Sequence, residues 1–348
     1  MALLAHTQCG QAGSIGPRDP APATCNRIKG FHPDVLTDRS SVDRFLDRVH
    51  TAQDAHPTAT RTSVRAFIER GMRRKMGPRV NGLRVEGIVP VDHIAPGVDM
   101  VYLGANKEGR IPNRTVFESM VRENHRQTTA TRPKTQDVNA KIAANGYGIE
   151  KLTLETASPT DLDVLVKLYR EAFPVYIFEI TTQTLKDLLR EPGNIFLVAR
   201  SNSGAIVSSM IAEYSSLDVG GTPVDLYELS DFATDRAHQG RQLMVSLQIR
   251  ALSMIEEIGN PSIIYAEDRG PLPAVVRSSH FAGLSLVGAL PAHVTISGQG
   301  HENYDEGVSL DVGGTPLPVE TLLPVAWIPK GVPRTPIEEI LALHEIRV

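Results

Sequence analysis

The residues whose types and spacing could do chemistry gather in one stretch, residues 226–252, which reads LYELSDFATDRAHQGRQLMVSLQIRAL. Its first part has the apolar character of a strand and its second part the periodicity of a long helix. A strand that feeds straight into a helix leaves the first helical amides unpaired, and the helix dipole adds positive potential there. Such a junction suits a phosphate or pyrophosphate. The single glycine, Gly240, is modest support by itself. The strand also carries two acids, Glu228 and Asp231. Glu228 lies between Tyr227 and Leu229, an apolar setting that suits a carboxylate for taking up a proton. The alternative is a strand-edge carboxylate that only holds a cation or a salt bridge. Asp231 is three residues on, so a regular strand would point it to the opposite face. Two carboxylates in one pocket would suit a cationic ligand.

Rival chemistries have little support. His301-Glu302 is not followed by a second histidine at metal-binding spacing, and there is no Gly-x-Ser-x-Gly elbow and no Walker loop. The two cysteines, Cys9 and Cys25, lie far from the stretch and have no zinc spacing, which argues against a covalent acyl-cysteine.

The elements that must position these residues follow from the pattern around them. A strand is expected over 151–155 and a helix over 160–173, started by Ser158-Pro159 and carrying Leu162, Leu165, Val166 and Leu168 on its inner face. A second helix over 181–190 ends at Pro192-Gly193. Strands over 194–200 and 205–214 are joined by Ser201-Asn202-Ser203-Gly204. The strand over 226–234, a helix over 239–258, a strand over 262–267, a helix over 274–282 and strands over 285–288 and 293–297 complete an order βααβββαβαββ.

With that order in place, specific residues carry a resemblance. Leu168-Tyr169, Phe173, Tyr176, Glu228 through Thr234 (ELSDFAT), Gln239-Gly240-Arg241, Phe281-Ala282, Gly288-Ala289-Leu290 and Ile296 resemble the GNAT N-acetyltransferase superfamily. Within it they are most similar to the beta-lysine N-acetyltransferase branch. The match covers residues 150–298, with 320–327 as a closing strand. The superfamily's coenzyme-A motif is Gln/Arg-x-x-Gly-x-Gly/Ala. Here Gln239 holds the first place, Gln242 stands where glycine is usual and Met244 where glycine or alanine is usual.

The resemblance implies an α/β fold of mixed α+β type: a splayed, mostly antiparallel sheet flanked by helices, with an appended N-terminal unit. It implies acetyl-CoA as co-substrate, no metal, and direct transfer of the acetyl group to the amine of a small cationic amino acid or diamine. Ala233, Thr234, Gln239, Gly240, Arg241, Gln242 and Leu243 would hold the cofactor, with amides around Ala233 and Thr234 polarising the carbonyl. Glu228 would be the general base, and a bulge usual in this strand would bring Asp231 round as an ammonium anchor. Phe281 falls where many members place a tyrosine that protonates the departing thiolate. Phenylalanine donates no proton, so the thiolate would leave unaided or take one from water or a neighbour such as His280. Tyr169, Phe173 and Tyr176 are expected to be core. The competing readings are a GNAT-like binding or scaffold domain without catalysis, and an acyltransferase with another acyl donor.

The rest of the chain sets bounds. With 348 residues, 41% hydrophobic and 22% charged, it can bury a large core without disulfide or metal, and a net charge of −4 points away from nucleic acid and membrane surfaces. The start lacks a basic n-region and no run reaches ~18 apolar residues, so a soluble cytoplasmic protein is expected. Self-association stays open. Asn113-Arg114-Thr115 is read as a chance sequon. Residues 1–40 read as a flexible lead-in and 41–145 as a small appended α+β unit. That unit would hold helices near 42–49 and over 62–76, short strands over 80–120, and a polar linker or exposed helix over 121–145. The basic residues of 62–76 read as a solvated face rather than a phosphate grip. Residues 299–348 form an extension with a closing hairpin or strand and a short helix. SLDVGGTP occurs twice, at 216–223 and 309–316, with unmatched flanks. Two separate hairpin turns explain it better than a domain duplication.

Overall fold

A computed structural model of the chain describes residues 3–7, 27–55, 59, 61–80, 82–106, 112–174, 176, 179–294, 309–312, 315–332 and 336–344. A first sheet is built from β1 (Leu3–Thr7), β2 (Arg27–Leu36), β3 (Arg61–Glu69), β4 (Arg79–Val80), β5 (Leu83–Pro90) and β6 (Val98–Asn106), in the order β1-β2-β3-β6-β5-β4. Helices α1 (Arg39–Ala55) and α2 (Arg70–Met76) interrupt it. Val42, Phe45, Leu46 and Val49 are buried on α1, at the spacing the sequence predicts. The helix expected over 62–76 is mostly not one. Val64, Ala66, Phe67 and Ile68 lie in β3, which is buried on both faces, and a short run buried on both faces has no period to read. Its basic character is a solvated face only in part: Arg74 and Lys75 are exposed. Arg65 is buried, Arg70 pairs with Asp92 at 2.6 Å and Asp99 at 2.7 Å, and Arg73 pairs with Asp99 at 2.9 Å and Glu339 at 2.8 Å. The expected flexible lead-in contains β1 and β2, while Cys9 and Cys25 lie outside the described residues.

The stretch expected as a polar linker or exposed helix belongs to two helices, α3 (Arg114–Thr128) and α4 (Thr135–Ala144). They bury Phe117, Met120, Val121, Val138 and Ile142 in the core of a second sheet. Asn113 of the sequon caps α3, its side chain accepting from the amides of Thr115 and Val116.

The second sheet follows the expected order. Its elements are β7 (Gly148–Leu152), α5 (Pro159–Ala172), α6 (Thr182–Arg190), β8 (Ile195–Arg200), β9 (Ile206–Val219), β10 (Thr222–Thr234), α7 (Leu243–Ile258), β11 (Ser262–Arg269), α8 (Pro273–Ala282), β12 (Ser285–Leu286) and β13 (Leu290–Val294). The hairpin β14 (Ser309–Val312) and β15 (Thr315–Pro318), the strand β16 (Glu320–Ala326) and helix α9 (Ile337–Leu343) come last. The strand expected over 151–155 sits earlier, as β7, and residues 295–297 of the strand expected over 293–297 lie outside the described residues. Ser158 starts α5 through a capping box with Asp161. The strand order is β12-β16-β11-β10-β9-β8-β7, antiparallel except between β10 and β11. This is the mixed α+β, mostly antiparallel fold expected. The first SLDVGGTP copy forms a hairpin with a two-residue turn, Val219 facing Thr222, and in the second β14 pairs antiparallel with β15, Val312 facing Thr315. In the first copy, Gly220 and Gly221 have φ of 61° and 88°, as a type I′ turn requires.

The two sheets share a connectivity that no sequence echo announces. β10 leads through α7 to parallel β11, then through α8 to β12, and β16 inserts between β11 and β12. Likewise β2 leads through α1 to parallel β3, then through α2 and the short edge strand β4 to β5, and β6 inserts between β3 and β5. One difference bears on the site. β2 and β3 stay paired from Arg27/Arg61 to Leu36/Ile68, whereas β10 and β11 part after Glu228/Tyr265.

The first sheet packs on the second through Phe67, Val89, Met100 and Tyr102, in one core with Tyr265, Leu290 and Leu322. Main-chain bonds close the seam, from Ile88 N to Val287 O and from Ala289 N to Glu86 O, both 2.8 Å. Gly87 and Gly288 face each other there, and a Cβ on Gly288 would lie 2.3 Å from the Glu86 carbonyl. The opposite face of the second sheet is covered by α3, α4, α7 and α8.

Candidate active site

The parting of β10 from β11 opens a cleft of about 730 Å³. Its walls come from the two diverging strand ends, the segment leading into α7, one stripe of α8, and the exit of α5. Strand alternation assigns the side chains to two faces.

One face looks towards α5 and the first sheet. Glu228 lines the cleft there, and its Oε2 accepts a 2.6 Å hydrogen bond from the Tyr265 hydroxyl on β11. Two residues on, Glu267 pairs with Arg65, whose guanidinium reaches across from β3. Arg65 also lies over the rings of Phe31, Tyr102 and Tyr265, at 4.7, 5.0 and 4.8 Å. The first sheet thus supplies a cation directly behind the cleft. The register of β10 against β9 shifts between Ser230 and Ala233, a bulge in which Asp231 takes φ of 53°. The bulge brings Asp231 to the cleft, against the Tyr176 hydroxyl, which donates to its Oδ1. Burial pushes the Asp231 carboxyl up to about 6. The Tyr176 hydrogen bond pulls it down, and the Glu228 charge pushes it up. Glu213 completes this wall, accepting 2.6 Å from Ser230 Oγ.

The other face looks towards α7 and α8. The helix expected to start at Gln239 starts at Leu243. Before it come a short 3₁₀ turn (Arg236–His238), capped by Asp235, and a loop of residues 239–242. Gly240 and Gln242 both have positive φ, 74° and 63°. A left-handed conformation at 242 explains why glycine suits this place, since a side chain there costs about 1 kcal/mol. The amides of Leu243, Met244 and Val245 open the helix without intrahelical acceptors. Gln239 Nε2 donates to the Thr234 carbonyl at 3.3 Å and spans the loop. Lys141, Arg241 and Arg277 are exposed along this wall, with His238 beside them bonded to the Tyr147 hydroxyl at 2.9 Å. The helical wall is therefore basic and the strand wall acidic.

Of the residues singled out from sequence, the cleft brings together Glu228, Asp231, Thr234, Gln239, Gly240, Arg241, Gln242, Leu243, Met244 and Phe281. Ala233 is not among them: its side chain is in the core, leaving only its main chain to face a ligand. His280 is not a neighbour of the cleft, for its Nε2 bonds the Ala130 carbonyl at 2.9 Å. Tyr169 and Phe173 are core, as expected, and Phe173 and Tyr176 also line the cleft, where they stack on each other at 4.7 Å. Sequence reasoning missed Glu213, Tyr265, Glu267, Asp268 and Arg65. The triplet Glu267-Asp268-Arg269 at the end of an otherwise apolar strand was the available signal, since buried charges need a reason. Nothing local marks Arg65. Among the described residues no cluster of metal-ligating side chains occurs, and no helix is long and apolar enough to cross a membrane.

No family model and no curated protein matches the chain. Among solved structures it is similar to a GCN5-related N-acetyltransferase from Kribbella flavida, at 14% identity and a TM-score of 0.38, over 53% of this chain and 98% of that one. It is also similar to a putative phosphinothricin N-acetyltransferase, at 14% identity and 0.37, over 52% and 98%. A third is an aminoglycoside acetyltransferase from an uncultured soil metagenomic sample, at 19% identity and 0.30, over 36% and 79%. Similarity at this level does not decide a function.

Proposed function

We infer that the chain is an N-acyltransferase of GNAT type that moves an acetyl group from acetyl-CoA to the amine of a small cationic molecule. The observation that carries this reading is the wedge between β10 and β11, with a basic helix-start loop on one wall and carboxylates on the other. A polyanionic cofactor suits the first wall. The amides of 239–245, with Gly240 and Gln242 in positive φ, fit a pyrophosphate, and Lys141, Arg241 and Arg277 fit further phosphate charge. Acetyl-CoA would supply an activated thioester there.

The acceptor would lie against the strand wall. An amine at neutral pH is an ammonium and must lose a proton before it can attack. Glu228 is placed to take that proton, directly or through one water, with the Tyr265 hydroxyl fixing its orientation. Asp231 and Glu213 favour a second positive charge on the acceptor, which is why a basic amino acid or diamine, the beta-lysine type included, suits the cleft better than a neutral amine. The catalytically lapsed alternative has less support, because the cleft, the bulge and the polarised walls are all retained. Gln242 changes one backbone position without closing the cleft.

The test is calorimetric titration with acetyl-CoA, then mass spectrometry of a panel of mono- and diamines incubated with both. Glu228→Gln should lower kcat by about 10²–10⁴-fold with a smaller effect on KM for the amine. No binding of acetyl-CoA would end the reading. Near-normal kcat in Glu228→Gln at saturating amine would instead remove Glu228 as base and turn attention to Asp231.

A further inference from the structure

One reacting group has no partner in the cleft as described. In the acyl-transfer reading the departing thiolate would find no proton donor in Phe281, whose ring lines the cleft, and His280 is turned to Ala130. One buried acid in the cleft also has no role. Asp268 is 2% exposed and lines the cleft; the Ser279 hydroxyl acts on its carboxyl, but neither carboxylate oxygen has a partner at normal hydrogen-bond geometry among the described residues. Burying an unpartnered carboxyl is costly, so its presence asks for a reason.

Its position supplies one. Along β11, Asp268 alternates with Glu267 and Arg269, which are committed to Arg65 and Glu320. Asp268 therefore shares the face of Ile264 and Ala266, whose core is built with α7 and α8. That is the wall assigned above to the cofactor, and Ser278 and Phe281 of α8 line it too.

Resting on the acyl-transfer reading, we propose that Asp268 is the general acid that protonates the departing thiolate. As the acceptor nitrogen bonds to the acyl carbon, the carbon–sulfur electron pair moves onto sulfur. The Asp268 hydroxyl proton passes to that sulfur and leaves a carboxylate. The acceptor nitrogen loses two protons in all: Glu228 passes the first, the ammonium proton, to solvent before attack and takes the second as the amide forms, and both carboxyls then return to their starting states by exchange with solvent. Burial pushes Asp268 up to about 7, the Ser279 hydroxyl offsetting part of it, so a protonated fraction is present at neutral pH. The charged groups that share the cleft with it are Glu228 and Asp231 on β10, Arg241 before α7 and Arg277 on α8, with Glu267 paired to Arg65 and Arg269 to Glu320.

The test compares the parent protein, Asp268→Asn, and Asp268→Asn combined with Phe281→Tyr, which returns a phenolic donor to the same wall. The first readout is calorimetry of coenzyme A in buffers of different ionisation heat. Near pH 7 the parent should exchange protons on binding, and Asp268→Asn should bind with similar affinity and exchange markedly fewer. The second readout is the pH profile of kcat. Asp268→Asn should lose about 10–100-fold and lack the fall of the parent above neutral pH. Adding Phe281→Tyr should recover at least about tenfold of a loss at the upper end of that range. The proposal is overturned if Asp268→Asn keeps the parent's proton exchange, or keeps its rate and high-pH fall. A parent that binds no coenzyme A overturns the acyl-transfer reading first, and this one with it.

Discussion

Replacing Asp268 with asparagine should stabilise the fold, and by more at high pH than at low. The carboxyl is raised from 3.8 to about 7 by burial. A carboxyl with a raised folded value binds more protons in the native state than in the unfolded chain. The fold is favoured below 3.8, and this advantage is lost as pH rises through 7. Relative to an unperturbed carboxyl, the penalty works out to roughly 2 kcal/mol at pH 5 and roughly 4 kcal/mol at pH 8. Asparagine has nearly the same shape but no charge to desolvate. Its advantage over the parent should therefore grow by about 2–3 kcal/mol between pH 5 and pH 8. Reversible denaturant titrations of both proteins at the two pH values measure this without any knowledge of the substrate. An identical difference at both pH values would show that Asp268 is ordinary in its proton affinity, and the general-acid argument would lose its electrostatic support.

Other perturbations test other parts of the structure. Gly240→Val should weaken acetyl-CoA binding at least about tenfold by calorimetry, because φ of 74° excludes a β-branched residue and the loop must move away from the phosphates. Gly288→Ala should cost about 1–3 kcal/mol in denaturant unfolding, since its methyl group would sit 2.3 Å from the Glu86 carbonyl and force the sheets apart. Arg65→Met should cost about 3–5 kcal/mol by the same measurement, because Glu267 stays buried without that cation. Unchanged stability in Arg65→Met would mean the seam does not depend on charge.

How far the sequence alone reached depends on whether a residue's environment was local. The second sheet was legible because its helices carry one apolar stripe and explicit starts, such as the Ser158 and Asp161 box, and because turn residues separate its strands. Glu228, Asp231 and Gly240 were legible because strand, bulge and helix start follow one another in the chain. The bulge fixes the fate of Asp231, and the left-handed backbone at Gln242 gives the physical reason for the glycine usually found there. The strand β3 was misread as helix because burial on both faces erases the period, and its buried arginine looked like surface. Only tertiary structure could decide the remainder. Glu267 is partnered by a residue 202 positions away, Asp268 is isolated by what packs over it, and the repeated connectivity of the two sheets has no echo in residue types. Charge pairing, desolvation and strand order are all set by which surfaces meet, and in this protein the meeting surfaces come from opposite ends of the chain.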